Sequence, residues 1–182
     1  MAVLLKDYEM FIKKKELAKD PEIYWEKIVH NRPGFFESSV DLIFNCNANK
    51  VVRSLAEIVV TALIPVYWNS VYLSDREKER LVEKLKYMNL NVLPKNEIKS
   101  YSLLISKIIQ FENWSIFKGR IDEYIQKLIS SNDDLNLLLS FFKYFLKDNK
   151  VIFKDTIWLL DTMYKLIIQP QVDLKDNSQG KM

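Results

Sequence analysis

Residues Lys50 to Leu73 read KVVRSLAEIVVTALIPVYWNSVYL, and this stretch decides the fold. Apolar residues occur on nearly every side of a helix drawn through it, interrupted by Arg53, Glu57 and Pro65. A helix that is apolar all round is normally enclosed by protein, so we expect the other helices to pack around this one. Because proline lacks an amide hydrogen, we expect Pro65 to kink or split the helix.

The same stretch is too short and too interrupted to cross a membrane. Its uncharged part, Ile58 to Leu73, has sixteen residues and contains Pro65. A transmembrane helix needs about 20 predominantly apolar residues. The N-terminus shows no signal peptide, because its apolar run is only a few residues long. We therefore expect an intracellular protein without a membrane span, cytoplasmic or, in a eukaryote, nuclear.

Outward from this stretch, the chain keeps the 3.6-residue periodicity of amphipathic helices. The clearest boundary is Ser74 followed three residues later by Glu77, the spacing of a capping box, which begins a helix with Leu81 and Leu85 on its core face. Asp20 and Pro21 begin an earlier helix, and Arg32-Pro33-Gly34 ends it. Further helices are predicted over about Val3–Ala18 and Phe35–Cys46, after a cap at Asn96, from Ser115, after Ser131, and up to Pro170.

This pattern predicts one all-α domain of eight or nine helices over residues 1–170, followed by a disordered polar tail over 171–182. Two arrangements stay open: an irregular multi-helix bundle, and a short stack of helical hairpins. A weak repeat, in which Leu103–Ser106 is echoed by Leu137–Ser140 at an offset of 34 residues, is as well explained by coincidence and does not decide between them.

The composition argues against enzyme chemistry. The three glycines, Gly34, Gly119 and Gly180, are too far apart for a phosphate-binding loop or a nucleophile elbow. One cysteine and one histidine cannot form a Cys/His zinc site, and we interpret His30 as a helix C-terminal residue and Cys46 as a small core residue. The carboxylates form no cluster on one helix face. We therefore expect no catalytic residues, no cofactor and no metal.

The basic residues provide the first candidate surface. The net charge is +3, and the segment from Arg76 to Lys107 contains eight basic and four acidic residues. On packed helices, a ridge of these cations would neutralise nucleic-acid phosphates. The alternative is a solvated face that its own glutamates partly balance. The candidate nucleic-acid-binding residues are Arg76, Arg80, Lys84, Lys95, Lys99 and Lys107.

Aromatic residues provide the second set of candidates, as interface anchors. Trp114 with Lys118 and Arg120 would stack a base or bind an acidic peptide, although such a tryptophan more often joins two helices. Tyr24 and Trp25 are adjacent on a helix, so we do not expect the two side chains to face the same core together. We expect one of them to be partly exposed and to anchor a partner.

Three hypotheses of function follow. The favoured one is a non-catalytic adaptor or accessory subunit that mediates protein–protein interaction in a larger complex. The alternative is a nucleic-acid-associated accessory subunit that uses the Arg76–Lys107 region. A third is a helical groove that binds a partner helix, which predicts an elongated apolar cleft. A homo-oligomer is left open, and a polar pocket with converging ionisable groups would argue against the first hypothesis.

Overall fold

The computed structural model describes residues 2–14, 19–113, 115–120 and 122–123, and this part is mostly helical and contains no strand. The helices are α1 (Ala2–Lys13), α2 (Pro21–Asn31), α3 (Phe35–Ile43), α4 (Lys50–Tyr67), α5 (Asp75–Lys86) and α6 (Lys95–Ile108), with a 3₁₀ turn at Leu90–Val92. Residues 115–120 and 122–123 are also helical. The all-α class is confirmed for these residues. The helices expected after residue 123 and the tail over 171–182 lie outside them.

The starts of α5 and α2 and the turn between α2 and α3 lie where the sequence predicts them. The Ser74 hydroxyl accepts a hydrogen bond from the Glu77 amide at 3.3 Å, as the capping-box spacing predicts. The Asp20 carboxylate accepts one from the Ile23 amide at 3.4 Å, at the start of α2. Gly34 has a φ of 75°, a left-handed conformation that glycine adopts without a steric cost, and it turns the chain from α2 into α3.

Three boundaries differ from expectation. Helix α1 ends at Lys13, a cation that stabilises the helix C-terminus, and residues 15–18 of the expected helix lie outside the described residues. Helix α6 begins at Lys95 after an extended Pro94, so Asn96 lies inside the helix instead of capping it. Helix α3 ends at Ile43 rather than Cys46.

The early end of α3 changes the environment of Cys46. The Asn45 side chain accepts a hydrogen bond from the Asn47 amide at 3.0 Å, which favours a local turn over another helical turn. The expectation that Cys46 is a small core residue is wrong, because its side chain is exposed in this turn.

Helix α4 contacts α1, α3 and α6, and α5 contacts α3 and α6. The α4 side chains that lie toward these neighbours are almost fully buried. They include Val52, Ala56, Val60 and Ile64. An aromatic cluster continues this core, because Trp25 lies 4.7 Å from Tyr8 and 6.3 Å from Phe35 between ring centroids.

Helix α4 is not split at Pro65. It continues through Pro65 to Tyr67, so the proline lies in its last turn. Only the hydrogen bond that would have reached the Thr61 carbonyl is lost there, which is a smaller disturbance than a break in the middle of a helix. The expected helix up to Leu73 is therefore shorter, and residues 68–73 form turns.

Glu77 of α5 links that helix to the start of α3. Its carboxylate accepts hydrogen bonds from the Gly34 and Phe36 amides, which have no partner within their own helix. Burial raises the pKa of Glu77 above its ordinary value, and the nearby Glu37 carboxylate raises it further, against the lowering effect of these hydrogen bonds and of Arg80.

This raised pKa gives a testable pH dependence. The folded chain binds the Glu77 proton more tightly than the unfolded chain, so the stability from this group is present below pH 4.5, the ordinary pKa. It is lost as the pH rises through the folded-state pKa. We expect the free energy of unfolding of Glu77→Gln, measured by denaturant titration, to lack this decrease between pH 4.5 and neutral pH.

Glu79→Gln is the matched control, because Glu79 is exposed on the same helix. It should keep the wild-type pH dependence. Parallel pH profiles for wild type and Glu77→Gln would contradict the assignment.

Candidate functional site

Two of the six predicted nucleic-acid-binding cations form ion pairs with α3. Arg80 lies 3.9 Å from Glu37, and Lys84 lies 2.6 Å from Asp41 and 3.7 Å from Glu37. The periodicity of α5 alone could not show this, because the carboxylates come from another helix that packs beside it. The charges of Arg80 and Lys84 are therefore partly balanced within the protein.

The other four cations differ in exposure. Arg76 on α5 and Lys99 on α6 have exposed side chains, and Lys107 near the end of α6 is half-buried. Lys95 is the first residue of α6. Arg76, Arg80 and Lys99 are therefore exposed to solvent, and Lys84 is the cation most closely paired with α3.

The second candidate surface is only partly described. Trp114 lies outside the described residues. Lys118 forms an ion pair with Asp122 at 3.7 Å, and Arg120 forms one with Glu123 at 2.7 Å. The Arg120 guanidinium also donates a hydrogen bond to the Lys86 carbonyl at 3.3 Å, at the C-terminal end of α5. The two ion pairs lie within the segment after α6, and the hydrogen bond to Lys86 joins this segment to α5.

Tyr24 and Trp25 both contact α1. Their rings lie 5.3 Å and 5.1 Å from the ring of Phe11. Both rings reach Phe11, but the expectation that one of the two residues is partly exposed agrees with the structure, and an anchoring role for that residue stays a prediction. Trp25 is buried, and the half-buried Tyr24 donates a hydrogen bond to the Asp7 carbonyl at 2.8 Å.

His30 lies in the last turn of α2, as the sequence predicts. Its ring stacks on Tyr72, with ring centroids 3.6 Å apart, and Tyr67 lies edge-on at 5.9 Å. These aromatic contacts give His30 a packing role between α2 and the turns after α4.

A small polar pocket of about 120 Å³ lies between α4 and α6. Four ionisable residues line this pocket and converge on it, as such residues do in many enzyme sites: Lys50, Arg53, Glu57 and Glu97. Arg53 forms an ion pair with Glu97 at 2.8 Å, and the Ser100 hydroxyl donates a hydrogen bond to Glu57. Sequence reasoning missed this pocket because its charges come from helices 40 residues apart in the chain.

The groups of this pocket mainly satisfy one another. Arg53 Nε is buried and has no hydrogen-bond partner. Within the described ranges, no three histidine, cysteine, aspartate or glutamate side chains are grouped to hold a metal ion. The geometry is that of an interhelical polar contact.

The most unusual surface belongs to α4. Val51, Ile58 and Val66 are exposed by 58%, 64% and 68%, so the expectation that α4 is enclosed on all sides does not hold. Together with the half-buried Leu55 and the exposed Ala62, they form one side of the helix, which we call the α4 face. This face is about 22 Å long, at 1.5 Å per residue. It carries no charged residue.

An open groove borders the α4 face. It has a volume of about 520 Å³ and lies between α1 and α4, with Phe11 and Ile12 on one side and Val51, Leu55 and Ile58 on the other. Ile12 is 42% exposed and lines this groove. The 4-3-4 spacing of the α4 face was visible in the sequence. It was missed because the whole segment was taken to be buried.

Comparison of the chain with known proteins finds no relative. Neither the models of known protein families, nor the curated proteins, nor the solved structures contain a match to the chain. Among the residues that the structure describes, no helix is long and apolar enough to cross a membrane.

The polar pocket gives a prediction about stability. Arg53→Met removes the cation and leaves Glu97, whose side chain is only 7% exposed, without its partner. We expect the free energy of unfolding to fall by about 3–5 kcal/mol, because an unpaired buried charge costs more than the loss of the pair. The double variant Arg53→Met/Glu97→Met should recover most of this loss, measured by denaturant unfolding.

Arg76→Met is the control, because Arg76 is exposed on α5, and it should change stability by no more than about 0.5 kcal/mol. A single variant at Arg53 that is as harmless as the control would show that the pair does not hold α4 to α6.

Proposed function

We propose that this protein is a non-catalytic helical adaptor or accessory subunit that mediates protein–protein interaction in a larger complex. The observation that carries the proposal is the α4 face, an uncharged side of a helix that is exposed along about 22 Å. Contiguous exposed apolar surface is unfavourable in water and marks sites of interaction with another molecule. The groove beside it adds apolar side chains from α1.

The absence of catalysis is part of the proposal. The polar pocket between α4 and α6 is the strongest alternative, since ionisable groups converge there. Its arginine and glutamates are engaged with each other and with Ser100, which supports a structural role. Catalytic groups are usually left available for a substrate.

The proposal also keeps the wider architecture expected from the sequence. It places eight or nine helices in one domain over residues 1–170, as an irregular bundle or a short stack of hairpins around α4. An intracellular location goes with it, cytoplasmic or nuclear.

Nucleic-acid binding through the Arg76–Lys107 region ranks second. The exposed Arg76 and Lys99 favour it, and the ion pairs of Arg80 and Lys84 with α3 count against it. If it is correct, Arg76→Glu/Lys99→Glu should weaken binding to a DNA or RNA oligonucleotide, and added salt should weaken it further. Fluorescence anisotropy at low salt tests this, and no binding by the wild type would exclude it.

The protein-binding function is tested by a photoreactive amino acid placed at residue 58, in the middle of the α4 face. In cells that express the full chain, we expect ultraviolet light to attach it covalently to another protein, because the partner covers this position. Gel electrophoresis followed by mass spectrometry identifies the product.

Position 71 is the matched control, because Val71 is an apolar residue that is 92% exposed outside the α4 face. It should give no specific product. Equal products at 58 and 71, or cross-links at 58 only within the same chain, would contradict the adaptor function.

A further inference from the structure

The spacing of the α4 face matches the way helices pack lengthwise. Val51, Leu55, Ile58 and Ala62 are separated by four, three and four residues. These steps average about 3.7 residues, close to the 3.6 residues per turn of a straight α-helix, so the four side chains form a straight ridge along α4. Ridges of this kind pack into the grooves between the side-chain ridges of another helix. A helix is therefore the natural shape for what lies along it.

The size of the surface also favours a single helix. The α4 face and the α1 side of the groove together contain about seven apolar residues, whereas a standard protein–protein interface uses about 20–30 residues on each side. A second copy of this chain would need much more surface than this to form a stable dimer. One helix laid into a groove needs only a few anchoring side chains.

The charged residues around the groove indicate which kind of helix it binds. Lys50 lines the groove, and Lys13 and Lys14 directly follow Ile12 at the same groove. All three lysines are exposed, and within the described part of the chain they form no ion pair. Glu9, half-buried one turn before Lys13, is the acidic residue on this part of α1. The groove therefore combines an apolar floor with an excess of positive charge at one end.

We propose that the α4 face and the α1–α4 groove bind an amphipathic helix of a partner protein, with acidic residues beside its apolar stripe. This inference rests on the proposed protein-binding function and specifies the partner. The apolar stripe of the partner packs on Val51, Leu55 and Ile58. Its carboxylates lie near Lys13, Lys14 and Lys50, where they neutralise charges that otherwise repel one another.

Two synthetic helical peptides of 18 residues test this, both with leucine at a 4-3-4 spacing. One has glutamate beside the leucine stripe and the other has lysine at the same positions. Fluorescence anisotropy measures their binding to the full chain. We expect the acidic peptide to bind at least about tenfold more tightly at low salt, with a smaller difference at high salt.

Variants of the protein locate the site. Ile58→Asp should weaken binding of the acidic peptide by at least about tenfold, because it places a charge in the apolar floor. Val71→Asp, at an exposed apolar residue outside the groove, should leave binding unchanged. Lys13→Glu/Lys14→Glu/Lys50→Glu should reverse the preference between the peptides, whereas Lys27→Glu, at an exposed lysine of α2, should not.

Several results would overturn the inference. Equal binding of both peptides, no binding of either, or equal effects of Ile58→Asp and Val71→Asp would each do so. A wild-type dimer in sedimentation equilibrium that Ile58→Asp dissociates would assign the groove to a second copy. If residue 58 still cross-links to another protein while the peptides show no preference, this inference fails and the protein-binding function stands.

Discussion

Burial of one side of α4 is the interaction on which the rest of the structure depends. Val52, Ala56, Val60 and Ile64 lie on that side, and α1, α3 and α6 each contact the helix. Because each buried aliphatic side chain contributes about 1.5–3 kcal/mol, this side alone accounts for a large share of the stability of a small domain. The opposite side of the same helix remains available for a different contact.

Several ion pairs join helices to one another. Arg53 of α4 pairs with Glu97 of α6, and Lys84 of α5 pairs with Asp41 of α3. Asp7 of α1 pairs with Arg32 at 3.2 Å, after the end of α2. Among these residues, Lys84 was a candidate for nucleic-acid binding, and its charge is instead paired within the protein. The apolar α4 face is then the most distinctive surface of the described residues.

Several features that depend on neighbouring residues were predictable, although the expected cap at Asn96 and the expected end of α3 were wrong. The caps at Ser74 and Asp20 and the turn at Gly34 follow from side chains within a few positions, so the sequence contains all the information they need. Features that depend on distant residues were not. The partners of Arg80 and Lys84, the joint packing of Tyr24 and Trp25 on Phe11, and the α4–α6 pocket all require knowing which helices are neighbours.

The sequence by itself determined the helical class, through its periodicity and its scarcity of glycine and proline. It also identified the apolar segment from Lys50 as a helix against which others pack. Only the tertiary structure decided which side of α4 is buried. An apolar residue looks the same in the sequence whether it packs in the core or lies on the surface, and neighbours distant along the chain decide between the two. For Val60 and Ile58, two residues apart on one helix, that choice separates the core from the candidate binding face.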